Sequence, residues 1–438
     1  MSAPIPQLAR ALRTVLTADA DRAAQRVGFV RRRRKISGAA FVQALVFGWI
    51  DDPHAPVDAL AARYPTPGVT PQAFHKRFTP AAAEFLREVL LNAVGQLVAA
   101  QPVAVPLLRR FAGVYVEDST VVPLPDTLRG TFPGCGGNTP SAGLAAIKTH
   151  VRWELTTGRL TGMAFQPGRQ PDGGFNATAD PLPAGALRLA DLGYFDFGVL
   201  TRLNAAGVSW ISRLPPNAVA ATGDERPSEV WHLLRRWSGD RLDLPVTAGN
   251  ETRLGCRLLA FRCPPAVAAR RREQLVERQR KKGRVVSERL RVLCEWTVFV
   301  TNLPADRFTP EEVWVLYRLR WQVELLFKLW RSHGGFGRSH GRLGHRVLCE
   351  VYAKLLAVVV RHWLLLTGGG PLTRTNPVRA AREVRRFALL VADALPCARR
   401  LRRVLRVLSE TLGRLRPRHR RRKRPSALEL LSEPQTPG

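Results

Sequence analysis

The sequence predicts an α/β domain with a mixed sheet, framed by helical segments at both ends, and three observations predict it. Near Gly113 the apolar spacing changes from helical periodicity to short strand-like runs. Strand, hairpin, strand, helix and strand then follow in order before a long helix from Pro310, the element order of an α/β domain. After Gly341 the pattern turns helical again, and the chain closes on the basic run RLRPRHRRRKRP.

Composition narrows the class. At 438 residues the chain exceeds one ordinary core, so two or three domains are expected. With 68 Lys and Arg against 35 Asp and Glu, the formal charge is +33. A globular chain of that charge calls for a polyanion, and nucleic acid is the leading partner. The six cysteines show no CxxC pair and no zinc spacing, so they read as reduced core residues. No secretory signal stands at the N-terminus, and Arg361-His362 break the apolar run from Leu355 to Leu366. The expectation is a cytoplasmic protein with no membrane association, held near the nucleoid by DNA.

Residues 1–105 read as a helical N-terminal domain through FVQALVFGWI and AAAEFLREVLLNAVGQLV. Thr70-Pro71 and Thr79-Pro80 each pair an N-cap with Pro at the first helical position. Between Val57 and Phe78 the pattern is helix, Gly-containing turn, helix, the second carrying Gln72, His75, Lys76 and Arg77. Two readings stand, a helix-turn-helix that binds DNA and a pair of packed helices in a small bundle.

The α/β core is expected over 106–214 and 296–340. GVYVEDST is a first strand ending in acid; AAIKTHVRWEL and RLTGMAFQ form a hairpin about Thr157-Gly158. ALRLADLG is the next strand, followed by a helix near Phe197 to Ala206 and the strand VSWISRL. Residues 215–295 read as a β-rich insertion around the charged segment RRREQLVERQRKKGR. C-terminal helices fill 341–415, and 416–438 is a basic tail expected to be disordered without a partner.

The long helix is well marked by Thr309 as N-cap, Pro310, Glu312 at capping-box spacing, and the stop Gly334-Gly335. Its stretch YRLRWQVELLFKLWR sets Glu324 among Tyr317, Arg320, Trp321, Lys328 and Arg331 within an arc of about 100°. Leu319, Val323, Leu326 and Trp330 point the other way. An exposed helix laced with i, i+4 ion pairs is the plain alternative.

Two further acids stand at strand ends, Asp118 in the first strand and Asp191 in the fourth. Neighbouring strands would present both at one sheet edge, where ligands gather. Three carboxylates at one point need cations, and hard oxygen donors suit Mg²⁺ or Mn²⁺.

VYVEDSTVVPLP, KTHVRWELTTGRLTGMAFQPGRQPD, LADLGYFDFGVLTRLNAAGVSWISRL and YRLRWQVELLFKLWR occur in that order. In this the chain resembles the DDE transposases of bacterial insertion sequences, in the branch named after insertion sequence four, which carries a Tyr, Arg, Glu, Lys signature. FVQALVFG and AFHKRF resemble the family's N-terminal part. The resemblance spans most of the chain and implies an RNase H-like catalytic core with a β-rich insertion, a helical DNA-binding region in front and a basic helical region behind. It implies that Asp118, Asp191 and Glu324 are catalytic metal ligands for Mg²⁺ or Mn²⁺. It also implies that Tyr317, Arg320 and Lys328 grip phosphates of double-stranded DNA at the element's terminal repeats and target, with a homodimer on paired ends. Trp321 would stack on a base or join the core. The signature's closing Lys is Arg331 here, which keeps charge and changes donor geometry.

Lys148, His150 and Arg152 alternate on one strand face and read as DNA contacts or plain surface. Asp172 is matched by an acid in the family and receives no catalytic role. The expected function is a DNA transposase; a DNA-binding descendant without catalysis and a stand-alone nuclease of the same fold are the rivals.

Overall fold

The structure is a computed structural model describing residues 3–32, 35–62, 69–136, 144–177, 180–223, 226–335, 339, 341, 343–369, 376–415, 429 and 431. The basic tail expected over 416–438 lies outside them, apart from 429 and 431, as does the turn at 63–68. The chain forms two compact units, one of Met1–Leu108, Asp118–Pro171 and Trp321–Ser432, the other of Arg109–Glu117, Asp172–Arg320 and Glu433–Gly438.

The first unit is built around two apolar helices. Gly38–Asp51 is buried on nearly every side, and the Ser37 hydroxyl caps it by accepting from the Ala40 amide at 3.1 Å. Gly344–Leu365 packs against it and against Pro80–Val94. The predicted caps are in place: Thr70 accepts from Ala73 and Thr79 from Ala82, with Pro71 and Pro80 opening their helices. Strands β1 (Val114–Leu124), β2 (Ala145–Glu154) and β3 (Leu160–Pro167) lie in the order β3-β2-β1. The hairpin between β2 and β3 is antiparallel, as predicted, and Gly158 takes φ +76° in its turn. β1 runs well past Asp118, so this acid lies within a strand and does not end it.

β2 overturns the surface reading of its basic residues. Every residue of it is buried, with Lys148 at 8%, His150 at 0% and Arg152 at 7% exposure. β2 lies between two strands, and two of its basic side chains have internal partners: Lys148 Nζ donates to the Gln170 carbonyl at 2.5 Å, and the His150 ring pairs with the Gln166 amide.

The second unit holds the mixed sheet. The start of β1 is followed across the sheet by β4 (Leu187–Ala190), β5 (Ser209–Arg213) and, further along the chain, β6 (Val219–Ala221), β7 (Ser228–Glu229), β8 (Arg241–Ala248), β9 (Leu254–Arg262) and β10 (Trp296–Thr301). Their order is β1-β4-β5-β10-β9-β8-β6-β7. β1, β4 and β5 are parallel, and every later registered pair is antiparallel. The helix Phe197–Ala205, capped by Asp196, links β4 to β5, and Leu200, Trp210, Leu258, Trp296 and Val298 share the core beneath. The charged segment of the insertion is the helix Pro265–Arg280, with Ala268 its buried residue.

The predicted long helix is two helices, Pro310–Arg318 and Trp321–Gly334. At the break the Leu319 and Arg320 amides reach only three residues back, to Leu316 and Tyr317. That tighter bonding ends the first helix. Val313 and Leu316 anchor the first half in the second unit, whereas Val323, Phe327 and Trp330 anchor the next half in the first. No helix among the described residues is long and apolar enough to cross a membrane.

Candidate functional site

In the second unit β4 and β5 are parallel, so their C-terminal ends share one edge. Asp191 follows the last residue of β4, and Arg213 is the last residue of β5. Asp191 keeps an extended backbone (φ −78°, ψ 169°) and makes no side-chain capping bond to the short helix Leu192–Tyr194. Arg213 pairs in register with Phe299 of β10, whose ring lies 4.6 Å from that of Tyr317. Tyr317 thus sits with Arg320, Asp191 and Arg213 as its charged surroundings, and burial pushes its phenol up to about 12. At neutral pH it is a protonated donor.

The helix Pro310–Arg318 that delivers Tyr317 is fixed at its start by the predicted capping box. Thr309 accepts from the Glu312 amide at 3.2 Å, and Glu312 accepts from the Thr309 amide at 2.9 Å. Arg110 adds an ion pair to Glu312 at 2.9 Å.

The parallel register of β1 and β4 runs from Val114 with Leu187 to Glu117 with Ala190. Glu117 and Arg188 form a buried ion pair across these strands, with contacts of 2.7 and 2.6 Å. Asp118 and Asp191 are the next residues of the two strands after the last registered pair. Strand alternation gives each acid the face opposite to that of Glu117 and Arg188. The Asp118 carboxylate accepts from the Ser119 amide at 2.8 Å.

In the first unit Trp321, Glu324, Lys328 and Arg331 form a stripe along Trp321–Gly334, while Val323, Leu326, Phe327 and Trp330 are buried on its other side. Leu319, which precedes this helix, is buried as well. Glu324 is half-buried, and Lys328 and Arg331 are exposed. Trp321 is 49% exposed, and Lys328 Nζ stands 4.9 Å from its ring, so Trp321 is a surface platform and not a core residue. The far end of this helix is clamped by buried Arg361, which donates to the carbonyls of His333 and, at 3.5 Å, Leu329. Gly335 closes it at φ +59°, the conformation in which helices commonly stop.

The four N-terminal candidates divide. Gln72 and Lys76 are exposed, whereas His75 is bound on both ring nitrogens, to Asp58 at 2.6 Å and to Arg346 at 2.8 Å. Arg77 turns inward, donating to the Phe29 carbonyl with its guanidinium 4.2 Å from the Phe29 ring. The helix Pro71–His75 has five residues and ends before Lys76 and Arg77.

Sequence reasoning missed Arg213. The available signal was its place at the end of the strand VSWISRL, parallel to the strand that leads into Asp191. Among the described residues no group of three or more His, Cys, Asp or Glu side chains is gathered as a metal centre. The donor chemistry of Asp118, Asp191 and Glu324, carboxylate oxygens only, fits Mg²⁺ or Mn²⁺.

Residues 109–360, more than half of the chain, match the family described as the transposase DDE domain. The chain belongs to the DDE transposase family. It is 28% identical over 360 residues to the transposase for insertion sequence element IS231F of Bacillus thuringiensis subsp. israelensis, covering 76% of this chain and 74% of that protein. It is 26% identical over 362 residues to the transposase for insertion sequence element IS1151 of Clostridium perfringens, covering 77% and 76%. The matched region includes the two Asp segments and the signature.

Proposed function

We propose that this protein is a DNA transposase that nicks the ends of an insertion element and joins the freed 3′-hydroxyl to target DNA. The observation that carries the reading is the parallel register of β1 and β4, which ends where Asp118 and Asp191 begin, in a chain of the DDE family. Asp118, Asp191 and Glu324 would hold Mg²⁺ or Mn²⁺. When bound, such an ion supplies Lewis acidity for phosphoryl transfer, lowering the pKa of water and neutralising charge on oxygen.

The remaining side chains bind and orient DNA. Arg320 and Arg213 offer planar donors to phosphate oxygens beside Asp191, and Tyr317, held protonated, donates without adding charge. Lys328 and Arg331 extend the grip along the helix of Glu324, and the exposed face of Trp321 offers a stacking surface for a base. The partner is the double-stranded DNA of the element's terminal repeats and of the target, with a homodimer engaging paired ends.

The test is cleavage of a duplex carrying the element's own terminal repeat in Mg²⁺ or Mn²⁺. Glu324→Gln is expected to lower cleavage by at least about 10²-fold, the scale of losing one electrostatic stabiliser, while binding persists. Undiminished cleavage by this variant would sink the assignment. Joining to a target plasmid separates a transposase from a nuclease that only cuts.

A further inference from the structure

One arginine of the first unit is buried with no acid to balance it. Arg361, in the helix Gly344–Leu365, is 4% exposed, and burial alone pushes it down to about 10, so it is charged at neutral pH. Among the described residues no carboxylate stands within ion-pair distance of it. Its charge instead meets main-chain oxygen: it donates to the carbonyls of His333 and, at 3.5 Å, Leu329, in the helix Trp321–Gly334 that carries Glu324. The C-terminal end of a helix bears a partial negative charge, and its final carbonyls, here that of His333, lack intrahelical donors. Packing alone does not call for such a residue, because apolar side chains of similar volume serve a core as well or better than a buried charge.

The seat around the guanidinium is narrow. A Cβ at Gly334 would stand 2.6 Å from Val358 Cγ2 and 3.1 Å from Arg361 Nη2, so glycine there admits the close approach of the two helices. At the other end, Trp321–Gly334 follows a break at which the Leu319 and Arg320 amides bond only three residues back. Buried Val323, Phe327 and Trp330 hold the helix down, but apolar contact carries little direction. The bonds from Arg361 are directional and fix its tilt.

We propose that Arg361 is a positioning residue for the reaction: by holding the C-terminal end of Trp321–Gly334, it sets the place of the Glu324 carboxylate. The proposal rests on the transposase reading for the role of Glu324. Along the helix axis Glu324 lies about 6 Å from Arg320, and His333 about 20 Å. Loosening the far end by about 3 Å tilts the helix by about 9° and moves Glu324 by about 1 Å. A misplacement of about 1 Å at a reacting centre costs about 10²-fold in rate.

The experiment compares the full chain with R361M, which removes the donors and keeps the site filled, and with R361K, which keeps the charge. In single-turnover cleavage of a terminal-repeat duplex R361M should be slower by about 10²-fold, while the affinity for that duplex, read by anisotropy, stays within about twofold. R361K, with a smaller donor group, should lose about tenfold, and it carries the test alone should R361M fail to fold. Without DNA or metal, amide hydrogen exchange over Arg331 to Gly335 should speed up in R361M. Leu12→Ala empties a buried site in the distant helix Ile5–Arg13; it should lower the urea midpoint yet leave cleavage near that of the unmodified protein. Cleavage by R361M within about threefold of the unmodified rate, unchanged exchange, or an equal loss of cleavage in Leu12→Ala overturns the proposal. Undiminished cleavage by Glu324→Gln removes the transposase reading and the proposal with it, whereas diminished cleavage there with an unaffected R361M removes the proposal alone.

Discussion

Glu117 and Arg188 give the sharpest energetic test of how the strands ahead of Asp118 and Asp191 are held. Both side chains are under 5% exposed, and Arg188 Nε and Nη2 reach the same Glu117 oxygen at 2.7 and 2.6 Å. Arg188 stands opposite Tyr115 in the register and Glu117 opposite Ala190, so the pair bridges the strands diagonally. Removing one partner strands a charge in the core. R188M should therefore cost about 3–5 kcal/mol, a large part of a typical folding stability of about 5–15 kcal/mol. The double variant E117M/R188M removes both charges and keeps the volume filled, so it should recover most of that loss. The coupling free energy from the four proteins, read from urea unfolding, should then exceed about 2 kcal/mol. If R188M cost under about 1 kcal/mol, or if the double variant lost the sum of the singles, the strand-clamping argument would be wrong.

Two further outcomes follow from single residues. His362 is fully buried and pushed down to about 4, chiefly by burial, with Arg361 adding repulsion and a 2.6 Å bond to the Gly158 carbonyl opposing it. The unfolded chain takes up this proton near 6.5 and the native one only near 4. Stability should be intact above about pH 6.5 and fall by about 3 kcal/mol on the way to pH 4, and His362→Leu should remove that part of the pH slope of urea midpoints. Gly335 has φ +59°, and an added Cβ would stand 2.3 Å from the Pro53 carbonyl oxygen. Gly335→Ala should cost at least about 1–3 kcal/mol in thermal unfolding, whereas Gly130→Ala, with open space around it, should be near neutral.

Local chemistry was legible wherever a few neighbouring residues settle it. The caps at Thr70, Thr79 and Thr309, the hairpin turn at Gly158, the mixed sheet and the buried face of Val323, Leu326 and Trp330 stand as the sequence predicts. Lys148, His150 and Arg152 misled because alternation of polar residues ordinarily marks a solvent face, and nothing local to β2 announces the neighbours that bury it. His75 and Arg77 looked like groove readers for the same reason. Their partners, Asp58, Arg346 and Phe29, are 17, 271 and 48 residues away in the chain.

By itself the sequence determined the class, the ordered acid and signature segments, and the stretches that become helix or strand, because caps, turns and apolar periodicity act over a few residues. Tertiary structure alone decided that the signature helix breaks between Arg318 and Trp321, since no Gly or Pro stands there and each half follows the core into which its own apolar residues pack. It likewise decided that Arg213 belongs beside Asp191 and Tyr317, because the pairing of β5 with β4 and β10 joins residues that the chain keeps far apart.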